Sequence, residues 1–332
     1  MEADGCENSL KQPASNGVWF VYGSLKPSEL GFRQIKHLID DHEPARLDGY
    51  RIWIRDGLPG LKKEEALDPN RNWVDGHLLC AKEGKETELK SVIKSFETEA
   101  TYKFDNVEAS NSSDVRVTAT ATFFRRDQKS DDVFESPTWS ISDDVYFRYG
   151  LPTLFRTVHE SKKGSGPSGS IDFWQEYLPI MGSYMNLWTV LERYIEFSQP
   201  GLKPNNEKAR FCEQCGAARN NEEKGAMTSH LRAIESSDAG KKAYGKVIQK
   251  NDVKVQPAGD HPRKQSTVRF LLHWRTARNN SVHRGKSAHS DYQLVRKAAL
   301  GLSEFLVALL SQEVDGLEHL QEHLADVDSS KS

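Results

Sequence analysis

The sequence predicts two domains of different class, an α+β small barrel or sheet followed by an all-α helical bundle. Before Arg126, short apolar segments rich in β-forming residues are bounded by glycine, proline and serine, which is typical of strands joined by turns. Beyond Arg126, apolar residues recur every three or four positions over long segments, which is typical of amphipathic helices. A chain of 332 residues is long enough for both domains.

The first domain is expected at residues 17–128, after a disordered polar tail at 1–16. Val18–Val21 is a short apolar run that ends in a Gly-Ser turn, so we predict a strand there. The segments "GYRIWI", "WVDGHLLCA" and "VRVTATATFF" predict further strands, with "GLPG" as a turn between the first two. The segment "ETELKSVIKSFETEA" has apolar residues at helical spacing and predicts one amphipathic helix. Several strands around one helix favour a small barrel or sheet.

The second domain is expected at residues 142–315, after a linker at 129–141 and before a polar tail at 316–332. The segments "FWQEYLPIMGSYMNLWTVLERYIEF", "TVRFLLHW" and "DYQLVRKAALGLSEFLVALLSQ" carry helical apolar stripes. Between them, residues 199–266 are polar and are expected to form a mostly solvated insertion with a short helix near "MTSHLRAIESS". These segments together predict a bundle of helices.

The composition limits the classes of function. The formal net charge is −3. This excludes a nucleic-acid-binding protein that relies on a large overall positive charge, so binding to nucleic acid would require a local patch of positive charge. The N-terminal segment is polar and acidic, unlike a signal peptide, and no apolar run approaches membrane-spanning length. We therefore expect a cytoplasmic protein with no membrane contact and no cofactor.

The four cysteines are too few and too scattered for a disulfide framework, which favours a reducing compartment. Cys212 and Cys215 form the sequence "CEQC", which is half of a zinc site. A structural zinc ion needs four ligands, so these two residues are weak candidates for metal binding. His230 or a dimer partner would have to complete the set, and two free thiols in a polar loop are the alternative.

The segment "RTARNNSVHRGKSAH" (275–289) places cations and imidazoles between two apolar stretches. On a helix, Arg278 falls on the same narrow stripe as Leu271 and Trp274. A buried guanidinium is costly unless a partner compensates its charge, so this position indicates either a salt bridge or a functional role.

Arg275, Asn279 and His283 follow at intervals of four residues along the neighbouring edge of the same helix. An arginine can hold a phosphate with two parallel hydrogen bonds, and an imidazole can exchange a proton near neutral pH. The arrangement therefore suits metal-independent cleavage of RNA. In that hypothesis His283 acts on the 2′-hydroxyl or the leaving oxygen, while Arg278 stabilises the charge that develops on phosphorus.

The segment "RNNSVH" (Arg278–His283) resembles the motif of HEPN domains, in which an arginine and an adjacent polar residue precede a histidine. Three residues separate Asn279 from His283, so the match is to the shorter form with four residues between arginine and histidine. The resemblance implies an all-α bundle, often a homodimer, in which both protomers line one RNA cleft. It also implies a metal-independent endoribonuclease of the kind found in toxin and antiviral systems, with Arg278, Asn279 and His283 as catalytic residues. The helical spacing, and not the resemblance, adds Arg275 as a further RNA contact.

A second motif lies at the end of the first strand, where "FVYGSLKP" runs into a turn. Successive backbone N–H groups in such a turn can hold an anion such as a carboxylate. The motif is followed in order by "DGLPGL", "VDGHLL" and a helix that ends in "SFETEATYKF". This order is similar to that of the gamma-glutamylcyclotransferase-like (AIG2-like) family.

The resemblance implies that the turn formed by Tyr22, Gly23, Ser24 and Leu25 binds the α-carboxylate of a substrate. It also implies that Glu97, with Glu99 as a rival, is the base that removes a proton from the α-amine before 5-oxoproline closes. A partly desolvated carboxylate has a raised pKa, which suits that task. A pocket that binds another amine-bearing small molecule is an equal alternative.

Three hypotheses for function follow. The first is an endoribonuclease with RNA as partner and a small-molecule domain attached. The second is a gamma-glutamylamine cyclotransferase that uses the helical bundle for dimerisation or interaction. The third is an interaction protein without catalytic activity.

Overall fold

The computed structural model describes residues 17–55, 57–64, 72–97, 102–125, 132–161, 173–198, 221–251 and 288–329. Contacts divide the chain into two units. The barrel unit lies within residues 1–27 and 32–139, and the helical unit lies within residues 28–31 and 140–332. In the ranges that the structure describes, no helix is long and apolar enough to cross a membrane.

The barrel unit contains eight strands and two α-helices among its described residues. The strands are β1 (Val18–Val21), β2 (Ile39–Asp48), β3 (Tyr50–Arg55), β4 (Leu58–Lys63), β5 (Trp73–Ala81), β6 (Tyr102–Asn111), β7 (Arg116–Phe124) and β8 (Asp132–Val133). The helices are α1 (Phe32–Ile35), which continues into a 3₁₀ turn at Lys36–Leu38, and α2 (Glu86–Phe96).

Five of the strands close into a barrel in the order β1-β5-β2-β6-β7. β1 runs antiparallel to β5, with Phe20 opposite Leu78. On its other side β1 meets β7 in parallel, where Trp19 pairs with Thr120. β7 also pairs with β4, which continues the sheet outside the barrel through β3 and β8. The prediction of a small α+β barrel is therefore confirmed.

Helix α2 packs its apolar face onto this barrel. Leu89, Ile93 and Phe96 are buried in one cluster with Trp19 and Leu79. Each fully buried side chain of this size contributes about 1.5–3 kcal/mol through the hydrophobic effect. The apolar residues whose helical spacing predicted α2 are therefore the residues that anchor the helix to the barrel.

The sequence prediction of a turn at "GLPG" is wrong for most of that segment. Only Gly57 has a left-handed backbone, with φ of 76°. Pro59 and Gly60 belong to β4, where they pair with Ile54 and Trp53. A side chain on Gly60 would overlap the ring of Phe124, so glycine allows that ring to lie against the strand.

The helical unit contains six α-helices in its described part. These are α3 (Leu151–Glu160), α4 (Leu178–Ser198), α5 (Asn221–Ser236), α6 (Asp238–Asn251), α7 (Ala288–Glu313) and α8 (Leu320–Ser329). Short π-helical turns at Tyr146–Gly150 and Phe173–Tyr177 lead into α3 and α4. Helix α7 is central, because it contacts α3, α4, α6 and α8 and all of its residues from 301 to 310 are buried. Helices were predicted at α4 and α7, and the HEPN family assignment stays a prediction.

Two largely polar segments of the helical unit form helices, and the first of them confirms the short helix predicted from the sequence. Helix α5 spans the "MTSHLRAIESS" segment, and its residues Leu231 and Ile234 are buried. Helix α8 forms where a polar tail was expected, and its first residue, Leu320, is buried together with Leu317. In both cases a few well-spaced leucines and isoleucines hold a largely polar helix in place.

Candidate functional site

The turn after β1 is fixed to the neighbouring strand β7. The Lys26 N–H donates to the Gly23 carbonyl at 3.1 Å and closes the turn. The buried Tyr22 hydroxyl donates to the Thr122 carbonyl at 2.9 Å and lies 3.1 Å from the Thr122 hydroxyl. Thr122 lies on β7. The hydrogen bonds between Tyr22 and Thr122 therefore fix the position of the turn relative to β7.

Glu97 lies directly after α2 and its backbone N–H donates to the Ile93 carbonyl at 2.8 Å. The side chain of Glu97 lines a small cavity together with the turn, and we call this cavity the barrel pocket. The pocket is lined by Trp19, Phe20, Val21, Tyr22, Gly23, Leu25, Pro59, Ile93, Glu97 and Thr122. The structure therefore brings together four of the residues that the sequence singled out, Tyr22, Gly23, Leu25 and Glu97. Ser24 does not line the pocket.

The barrel pocket is nearly closed. Its volume is about 20 Å³, which is room for a single water molecule. Most of its lining is apolar, so a charge inside it is poorly solvated. A substrate of amino-acid size requires the pocket to widen before it can enter.

The surroundings of the Tyr22 hydroxyl determine its protonation state. Burial raises the pKa of the Tyr22 hydroxyl far above its ordinary value, and the negative charge of Glu97 raises it further. The hydrogen bond to Thr122 acts in the opposite direction but is the smaller effect. Tyr22 therefore stays protonated at neutral pH and keeps its hydrogen bond to the Thr122 carbonyl.

Thr122, Pro59 and Ile93 line the pocket, although the sequence did not indicate them as pocket residues. Ile93 was identified only as part of the apolar face of α2. Thr122 lies in the alternating segment that predicted β7, but alternation does not reveal which strand is its neighbour. The contact between Tyr22 and Thr122 joins residues 100 positions apart, and no local signal predicts it.

The other predicted site residues lie outside the described residues. These are Glu99, the nuclease candidates Arg275, Arg278, Asn279 and His283, and the metal candidates Cys212 and Cys215. The endoribonuclease and its RNA partner therefore stay predictions. Among the residues that the structure does describe, no group of three or more His, Cys, Asp or Glu side chains could hold a metal ion.

Comparison with known proteins gives partial similarities to solved structures. YkqA from Bacillus subtilis is 16% identical with a TM-score of 0.29, over 40% of this chain and 42% of YkqA. At5g39720.1 from Arabidopsis thaliana is 16% identical with a TM-score of 0.28, over 43% of this chain and 89% of that protein. A protein named gamma-glutamyl cyclotransferase is 12% identical with a TM-score of 0.26, over 36% of this chain and 72% of that protein. No protein family and no curated protein matches the chain.

The chain spans about two fifths of the length of YkqA, since the similarity covers 42% of that protein. Similarities of this size assign neither a substrate nor an activity to the chain. Its own geometry gives a five-stranded barrel with helices, and a pocket in which the turn after β1 faces Glu97.

Proposed function

We propose that the barrel unit is a gamma-glutamylamine cyclotransferase and that the helical unit serves dimerisation or interaction. The observation that carries the proposal is that Glu97 and the turn at Tyr22–Leu25 line the same pocket. A reaction of this type needs an anion-binding turn and a base within reach of one small molecule, and the shared pocket supports that assignment of the turn and Glu97.

The chemistry is an intramolecular acyl transfer. The α-amine of the γ-glutamyl group attacks the γ-carbonyl carbon, a new C–N bond closes the five-membered ring, and the amide C–N bond breaks. Glu97 takes the proton that the attacking nitrogen loses and returns a proton to the leaving amine, so that 5-oxoproline and a free amine are the products. Backbone N–H groups of the turn bind the α-carboxylate, and the Tyr22 hydroxyl, which donates to the Thr122 carbonyl, holds the turn in position.

The test is release of 5-oxoproline from a γ-glutamyl alkylamine by the full-length protein, measured by mass spectrometry. We expect Glu97→Gln to lower kcat about 10²- to 10⁴-fold, because that is the usual contribution of a general base. The matched control is Glu88→Gln, the same change at an exposed residue of α2 that pairs with Lys85. It should leave kcat unchanged.

Two results would overturn the proposal. One is a wild-type protein, folded by circular dichroism, that releases no 5-oxoproline. The other is a Glu97→Gln variant as active as the Glu88→Gln control. In either case the pocket would have to serve another ligand.

A further inference from the structure

The barrel unit has a second and larger cavity, which we call the rim cavity. Its volume is about 350 Å³, which is in the range of sites that bind small molecules. Residues of β2, β5 and β6 line it together with Lys26 and Thr138, and it shares no lining residue with the barrel pocket. The rim cavity is therefore a separate candidate for binding.

Lys26 gives the rim cavity a buried positive charge. Its side chain belongs to a residue that is only 7% exposed, and its Nζ donates to the Thr138 hydroxyl at 3.1 Å. A buried ammonium group is costly unless anions or polar groups surround it. Because Thr138 accepts this hydrogen bond, its own O–H remains able to donate to a second acceptor.

His77 adds a polar atom that lacks a partner. The Nδ1 atom of His77 is buried and makes no hydrogen bond to any residue that the structure describes. Burial lowers the pKa of His77, and the positive charges of Lys26 and His42 lower it further. The ring is therefore neutral at neutral pH, and its Nδ1 can carry the proton and donate to a ligand.

The exposed side of the rim cavity carries the opposite charge. Arg46 and Asp75 face each other across β2 and β5. The Arg46 Nε lies 2.6 Å from Asp48, and its guanidinium stacks on Trp73, so Asp48 compensates its charge. The Asp75 backbone N–H donates to the Pro137 carbonyl at 2.8 Å, and its exposed carboxylate places a negative charge on the same cavity.

We propose that the rim cavity binds a free α-amino acid. A buried cation and an exposed carboxylate on one small cavity complement a ligand whose own carboxylate and ammonium groups lie close together. The ligand carboxylate accepts hydrogen bonds from Lys26 Nζ, the Thr138 hydroxyl and His77 Nδ1, and the ligand ammonium faces Asp75. The site is independent of the cyclotransferase proposal, because it uses other residues and needs no reaction.

Calorimetric titration of the full-length protein with three probes tests the proposal. L-Alanine has both charges, propionate lacks the amine and L-alaninamide lacks the carboxylate. We expect alanine to bind about tenfold more tightly than alaninamide, because hydrogen bonds to a buried charge contribute about 1.5–3 kcal/mol. It should bind about threefold more tightly than propionate, because an exposed ion pair contributes less than about 1 kcal/mol.

Two variants separate the two charges. Asp75→Asn should weaken alanine about threefold and leave propionate unchanged. Lys26→Gln should weaken alanine and propionate about tenfold and leave alaninamide unchanged. The matched control for the first is Asp105→Asn, an exposed strand residue outside both cavities whose partner is Lys103. Because Asp75 is exposed, Asp75→Asn is expected to fold. It therefore tests the proposal even if Lys26→Gln does not fold.

Glu97→Gln distinguishes the rim cavity from the barrel pocket and should leave alanine binding unchanged. Loss of alanine binding in Glu97→Gln would overturn the proposal, because it would move the ligand to the barrel pocket. So would equal affinities for alanine and propionate, an unchanged affinity in Asp75→Asn, or no saturable binding of any probe. None of these outcomes depends on whether 5-oxoproline is released.

Discussion

The two units of the chain treat buried charge in different ways. In the helical unit, Arg193 is 4% exposed and its Nε lies 3.0 Å from Asp144, which is fully buried. The Arg193 Nη1 lies 3.0 Å from Glu196, and Asp144 also accepts from the Tyr146 N–H at 2.9 Å. In the barrel unit, Lys26 and Glu97 line cavities. A charge enclosed by the fold acts on stability alone, whereas a charge on a cavity wall can also meet a ligand.

The largest expected effect comes from breaking the ion pair of the helical unit. Asp144→Ala should lower the free energy of unfolding by about 3–5 kcal/mol, because it leaves the Arg193 guanidinium buried beside one fewer carboxylate. Denaturant unfolding followed by circular dichroism measures this. Asp315→Ala is the control, since Asp315 is exposed in the same unit, and it should change stability by less than about 0.5 kcal/mol.

The interpretation of this ion pair as structural has a further check. Asp144→Leu combined with Arg193→Met should recover most of the stability that Asp144→Ala loses, because an apolar pair removes both charges from the interior. A loss below about 1 kcal/mol in Asp144→Ala would show that the pair does not specify the structure.

Two glycine substitutions, one in each unit, should change the stability of the protein in opposite directions. In Gly76→Ala the new Cβ would overlap the Val21 backbone oxygen and the ring of Phe20. The expected cost is about 1–3 kcal/mol, as for other overpacked sites. In Gly182→Ala the new Cβ meets no atom within 4 Å on the exposed side of α4, so the change should stabilise that helix by about 0.5–1 kcal/mol. Thermal unfolding of both variants measures the difference, and two changes of the same sign would contradict it.

The smallest effect concerns the pH dependence of stability in the barrel unit. The folded-state pKa of His77 lies below its ordinary value of 6.5, mainly through burial and then through Lys26 and His42. His77 therefore favours the folded state above pH 6.5, and this contribution is lost as the pH falls through the folded-state pKa. Melting temperatures between about pH 8 and about pH 5 should fall less steeply for His77→Gln than for the wild type. Parallel curves would exclude this contribution.

The sequence identified the elements whose signal is local. The runs at β1 and β5, the stripe of α2 and the long apolar helix α7 all bury the faces that their periodicity indicated. β2 was missed because acidic residues and Pro44 interrupt its alternation, although its pairing with β5 extends over most of its length.

The two cavities show the same limit of sequence analysis. The order of the motifs connected the turn at Tyr22 with Glu97 only through the resemblance to the gamma-glutamylcyclotransferase-like family that it carries. The rim cavity was not predicted, since Lys26, His77 and Thr138 are brought together only by the pairing of remote segments.

Closure of the barrel through β1 and β7 sets an order of events during synthesis. The first strand leaves the ribosome about a hundred residues before its Thr122 partner exists, as the separation between Tyr22 and Thr122 shows. Until β7 is synthesised, the edge of β1 that faces β7 in the barrel has no strand to pair with. Unpaired strand edges of this kind can pair with other chains. Because pairings between remote segments form slowly, we expect closure of the barrel, and not formation of the helices, to be the slow step of folding.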